Sequence, residues 1–252
     1  MDLWVVSLVV LAGVVAGLVN AIAGAGSLLT FPALVGLGLS PLAANVSNCV
    51  GISFGNASTV WGFRGMLAGQ RPLLVRLLLP AVVGSLLGAG LLLCLPSQVF
   101  VLVAPALVAL GAVLTLIQPL IARKLDWLSR EGGGGAGLVI GIFATSVYGG
   151  YFGSGIGVIF LAVLGMFVAG PLSSLNAIKS VLQLISNGVA GLIYCFTGPV
   201  AWPFVAALAA GSIVGGLIGA RVSRYVSALQ LRIAVGTIGL LAAAVMAYRI
   251  GS

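Results

Sequence analysis

The sequence predicts an all-α polytopic membrane protein made of two inverted-topology repeats, each of about five helical segments. Three observations carry that prediction: an apolar, charge-poor composition, a chain cut into ten apolar segments, and a plan written twice. Of the 252 residues, 61% are hydrophobic and 6% are charged, against about 25% charge in a soluble domain. The net charge of +8 is spread over inter-helix loops. It therefore reads as a set of topology signals, and no nucleic-acid partner is expected.

The apolar segments fall at about 3–23, 27–39, 42–63, 73–95 and 98–120, then 137–152, 155–169, 172–196, 201–220 and 231–248. Residues 121–136 are charged and Gly-rich and divide the chain. Residues 1–120 are the first transmembrane repeat, 121–136 a cytoplasmic linker, and 137–252 the second repeat. The stretch 3–39 is too long for one span, because 37 helical residues run roughly 55 Å against a hydrocarbon core of about 30 Å. A break is expected at Gly24-Ala25-Gly26, leaving a short segment from Ser27 to Leu39 that either crosses or turns back. The N-terminal run ending near Ala23 lacks a basic leader and is echoed in the second half, so it is read as part of the fold.

Charge sets the relation between the halves. The loop at 64–76 holds Arg64, Arg71 and Arg76, and its counterpart near 195–207 holds none; the loop at 221–232 holds Arg221, Arg224 and Arg232, and its counterpart near 90–101 holds none. Corresponding loops carry opposite signals, which points to an odd number of crossings per half and to inverted repeats. Basic loops and linker then face the cytoplasm, with Arg249 alone on the other side. A count of four crossings per half would give parallel repeats and place three arginines outside.

The third segment of each half carries a polar stripe: Asn45, Asn48, Ile52, Asn56 and Thr59 in the first, Asn176, Lys179, Gln183 and Asn187 in the second. Spacings of three and four put each set on one helix face. Asn45 matches Asn176 at a separation of 131 residues, and the remaining pairs follow at the same offset. Such stripes either line a pathway or act as interhelical hydrogen-bond glue. Lys179 is the only charge expected within a span. It is either a counter-ion for an anion or a side chain snorkelling to the interface. Helices starting after Gly26 and Gly155 would point free N–H groups and a positive dipole end into the gap, an anion site made of backbone. The candidate binding set is therefore Gly24, Gly26, Ser27, Asn45, Asn48, Asn56, Gly153, Ser154, Gly155, Asn176, Lys179, Gln183 and Asn187. Gly84, Gly88, Gly211, Gly215 and Gly219 have small-xxx-small spacing and are expected to pack helices closely.

With no His, and with Asp2, Asp126 and Glu131 as the only acids, neither a metal cluster nor a Ser/His/Asp arrangement can form. No enzyme, metal or cofactor is expected. Cys49, Cys94 and Cys195 form no CxxC pair and are expected to be buried and inert.

The segments GLVNAIAGAGSLLTFPALVGLGLSPLAAN and YGGYFGSGIGVIFLAVLGMFVAGPLSSLNAIKS resemble the TauE/SafE family of sulfite and organosulfonate exporters. The likeness covers nearly the whole chain. It implies a multi-pass carrier of the bacterial inner membrane for a small anion, with the breaks at Gly24, Gly26, Gly153 and Gly155 and the turn prolines Pro41 and Pro171 as shared features. A secondary transporter that exports a sulfur oxyanion by alternating access is the expected function. An anion channel and a thiol-assisted carrier using Cys49 or Cys195 are the alternatives. Expected partners are the bilayer and the anion, with oligomeric state, coupling ion and direction open.

Overall fold

The structure is a computed structural model that describes residues 2–125, 135–223 and 225–251. It is all-α among the described residues, with ten helices: α1 (Leu3–Ile22), α2 (Ser27–Gly36), α3 (Pro41–Phe63), α4 (Arg71–Cys94), α5 (Ser97–Leu125), α6 (Ala136–Tyr151), α7 (Ile156–Phe167), α8 (Leu172–Thr197), α9 (Trp202–Val222) and α10 (Ala228–Gly251). Each apolar segment of the sequence becomes one helix. α5 runs on to Leu125, so the expected linker begins as helix; residues 126–134 lie outside those described.

Six helices (α1, α4, α5, α8, α9 and α10) are long and apolar enough to cross a bilayer. α2 and α7 are shorter, and each folds back along the helix before it. A Cβ on Gly149 would meet Ile156, one on Gly141 would meet Val163, and one on Gly137 would meet Phe167. That pairing is antiparallel, so α6 and α7 form a hairpin. On α1 and α2, a Cβ on Gly26 would strike the Ala16 carbonyl, and Val9 and Leu34 share one apolar cluster, which makes a second hairpin. The physical cause is the turn. Gly24 and Gly155 stand at φ of 79° and 75°, a left-handed conformation that only glycine adopts cheaply, and it reverses the chain where a helix would have continued.

Helices at equivalent places in the two halves run antiparallel. On α3 and α8, Val46 lies by Gly198 and Val50 by Gly191, while Phe63 clusters with Ala177. On α5 and α10, Leu116 lies at Gly236 and Ala112 at Gly239. The first helix of each half packs on the fourth helix of the other, α1 on α9 and α6 on α4. Small residues make this approach close, as expected from their spacing. A Cβ on Gly211 or Gly215 would strike the Val10 or Val14 carbonyl, and one on Gly84 or Gly88 the Phe143 or Val147 carbonyl. Pro41 opens α3 at its first turn, where a missing N–H is harmless, and the Ser40 hydroxyl caps Ala43 N at 3.3 Å.

Three expectations change. Arg71 and Arg76 belong to helix α4, Arg221 to α9 and Arg232 to α10, not to loops. Arg232 is 7% exposed, so Lys179 is not the only cation inside a membrane helix. Of the cysteines only Cys49 is buried; Cys94 is exposed and Cys195 half-buried. In a membrane protein an apolar run does not imply a core position, because half of each helix faces lipid.

Candidate functional site

The two hairpins meet tip to tip. A Cβ on Gly24 would come within 2.7 Å of the Gly157 carbonyl carbon, and one on Gly157 within 2.6 Å of the Gly24 oxygen. Gly155 N donates to Ser27 Oγ at 3.1 Å, and Ser154 Oγ donates to Ser27 O at 3.3 Å. The N-terminal ends of α2 and α7 therefore converge, bringing two positive dipole ends together. At the 131-residue offset Gly24 corresponds to Gly155 and Gly26 to Gly157, and the matching left-handed φ values at Gly24 and Gly155 fix that register. Gly153, also left-handed at 73°, belongs to an extra turn of the second break.

The polar stripes grip these tips. From α3, Asn45 Nδ2 donates to Tyr151 O at 3.1 Å, Asn48 Oδ1 accepts from Thr30 Oγ1 at 2.5 Å, and Asn56 Oδ1 lies 3.5 Å from Asn20 Nδ2. From α8, Lys179 Nζ donates to Asn20 O at 2.8 Å and to Ala21 O at 3.4 Å. Gln183 packs against Gly157 at the start of α7, and Asn187 O accepts from Cys49 Sγ at 3.4 Å. Lys179 has no exposed surface, so it does not snorkel. Its ammonium sits on the last carbonyls of α1, where a helix C-terminus favours a cation. Tyr151 and Asn20 are equivalent positions, so each stripe caps the first helix of the opposite half.

All of the sequence-predicted site residues except Asn176 gather at or beside this crossing. Asn176 lies one turn before Lys179, and its Oδ1 has no partner. Asn45 Oδ1, Asn56 Nδ2 and Gln183 Nε2 are likewise buried and unpartnered, each at a cost of about 1–3 kcal/mol. Native interiors tolerate few such groups, and here four fall on the two facing helices α3 and α8.

Sequence reasoning missed Asn20 and Thr30. Asn20 Oδ1 accepts from Gly26 N at 2.7 Å, closing the first break as a cap for α2. The signal was present: a lone amide in an apolar run four residues before a glycine. On the side where α8 ends, Phe31, Phe100, Phe152 and Tyr148 cover the tips, with Phe31 and Phe152 edge to face at 5.1 Å. The Tyr194 hydroxyl donates to Gly150 O beneath them.

Residues 9–246 match the model of the family described as sulfite exporter TauE/SafE. The chain is 27% identical to a "Probable membrane transporter protein" of Haemophilus influenzae over 83% of its own length and 81% of the relative's. It is 27% identical to "Probable membrane transporter protein YfcA" of Escherichia coli K12, covering 82% and 76%, and to "Probable membrane transporter protein ORF9" of a Sinorhizobium species, covering 83% and 80%. No solved structure matches it. Hairpins that meet inside a bundle of apolar spans, and a family match over nearly the full chain, lead to one conclusion: this protein belongs to the TauE/SafE family and is a multi-pass membrane transporter of that type.

Proposed function

We propose that the protein exports a small sulfur oxyanion, sulfite or a short organosulfonate, across a bacterial inner membrane by alternating access. The observation that carries this reading is the meeting of two helix N-termini inside a ring of buried, partly unpartnered amides beside Lys179. Two positive helix ends, an ammonium, and the free Asn56 Nδ2 and Gln183 Nε2 supply donors, beside the unpartnered acceptors Asn45 Oδ1 and Asn176 Oδ1. An anion is the ligand that such a set would hold.

Two hairpins entering from opposite ends, with antiparallel α3–α8 and α5–α10, support inverted repeats with an axis in the membrane plane. The aromatic cover closes the crossing toward the uncharged loops. Rocking one repeat against the other would part Ser27 from Gly155 and expose the amide that Ser27 now occupies. Export needs no proton relay. Moving one negative charge outward gains roughly 2.3 kcal/mol per 100 mV of inside-negative potential, about a 50-fold gradient.

The test uses purified protein in liposomes with an imposed potential and a panel of sulfite, sulfate, sulfoacetate, thiosulfate and chloride. Sulfite or sulfoacetate should move with saturation and counterflow and follow the voltage. Flux without saturation or counterflow would make it a channel. Movement of none of the sulfur anions would remove the substrate reading.

A further inference from the structure

Arg232 is a buried cation that the hairpin-tip site does not use. It sits in the second turn of α10, 7% exposed, and both its Nε and its Nη2 lack a protein partner. The chain offers it little compensation. Asp2, at the far N-terminus, is the only acid among the described residues. Arg232 also lies within electrostatic reach of Lys179, a like charge. A buried guanidinium that repels a neighbouring ammonium and leaves two donors unused is costly.

Its surroundings place it beside the hairpin tips. Leu231 and Val235, on either side of it, pack with Val19, Ala23, Ala25 and Val158 around the hairpin tips. The antiparallel register of α5 and α10, with Leu116 at Gly236 and Ala112 at Gly239, puts Gln118 at about the level of Arg232. Gln118 is itself buried, with Oε1 unpartnered. The two unpaired arginine nitrogens are chemically specific. Nε–H and Nη2–H are the parallel pair on one edge of the planar fork, which matches two oxygens carried on a single atom.

We propose that Arg232 forms a second anion site, between α5 and α10 beside the hairpin tips, that takes the two-oxygen edge of a sulfite, sulfonate or carboxylate. This site discriminates oxyanions from halides, because a spherical ion uses only one of the two donors. Its place on the basic-loop side makes it the station that an anion reaches before the tips.

The test is thermal unfolding of the purified full chain in a chloride background, titrated with sulfite, methanesulfonate or acetate. At least one of these oxyanions should raise the unfolding midpoint of the wild type, and added chloride should not. In R232M and R232K the half-maximal concentration should rise about tenfold or more, since lysine keeps the charge but loses the fork. K179M should still respond. Without oxyanion, R232M should unfold at or above the wild-type midpoint, because it removes a buried unpartnered charge; a structural arginine would lower it. The proposal is overturned if no oxyanion stabilises the wild type, if R232K responds as the wild type does, or if R232M and R232Q both lose stability with the response unchanged. Because the readout is binding, a protein that moves no sulfite yet shows the Arg232-dependent shift would refute the transport reading alone.

Discussion

The two hairpin tips are built alike and finished differently. In each, a left-handed glycine reverses the chain, and a side chain from the opposite half caps the carbonyl at the end of the first helix. Asn45, a neutral amide, caps Tyr151. Lys179, a cation, caps Asn20. Lys179 stands where the first half has Asn48, one turn further along, and its longer stem makes up the distance. Common backbone requirements of the fold keep the two tips similar, and the charged cap makes the crossing electrostatically one-sided. A symmetric pair of amides would hold the tips together, whereas an ammonium on one side also adds a positive field at the crossing.

Substitutions can break this comparison at several levels. The largest effect should come from the packing shared by both halves. Gly215→Leu on α9 or Gly88→Leu on α4 would drive a side chain into a facing backbone carbonyl, of Val14 or Val147 respectively. Overpacking of this kind costs about 1–3 kcal/mol or more, and the expected result is loss of the monodisperse peak in size-exclusion chromatography. The charged tip comes next. Lys179→Met should cut sulfite flux about 100-fold, from losing a charge-assisted hydrogen bond worth about 1.5–3 kcal/mol, while the protein still folds. The neutral tip should be milder: Asn45→Ala should lower flux about fivefold, for a contact worth about 1 kcal/mol. Equal losses for Lys179→Met and Asn45→Ala would mean that the charge contributes only as a cap. The smallest effects should be at Arg249, exposed near the C-terminus, and in the triple Cys→Ala variant. Both should transport within error of the wild type, and a dead cysteine-free protein would restore the thiol-carrier reading.

Much of this arrangement was legible in the residues. Charge, Pro and Gly cut the chain at the helix ends because each change of medium or direction needs one of them. The stripe from Asn45 to Asn56 and its echo from Asn176 to Asn187 could be read because lipid-facing surface tolerates no such row of amides. What escaped was whatever depends on rotation about a helix axis. Arg232 looked like a loop signal because it lies next to a basic loop. Only the packing of α10 on α5 and the hairpin tips turns it inward. The cysteines were misjudged for the same reason, since core and lipid are equally apolar and a sequence does not distinguish them. Asn20 was visible as a polar residue out of place, but its role needed Gly26 brought back beside Ala16.

The sequence by itself determined the all-α class, the ten segments, the forced breaks at Gly24-Ala25-Gly26 and Gly153-Ser154-Gly155, and the doubled plan. These follow from local rules: bilayer thickness limits helix length, and backbone chirality reserves the left-handed turn for glycine. The tertiary structure decided that α2 and α7 fold back, that their N-termini meet, that Lys179 reads α1 carbonyls, and that Arg232 is buried with its fork unused. Each of these is a relation between residues more than a hundred positions apart or on different helices. Such relations are fixed by how apolar faces and glycine seams pack in three dimensions, which no spacing along one chain specifies.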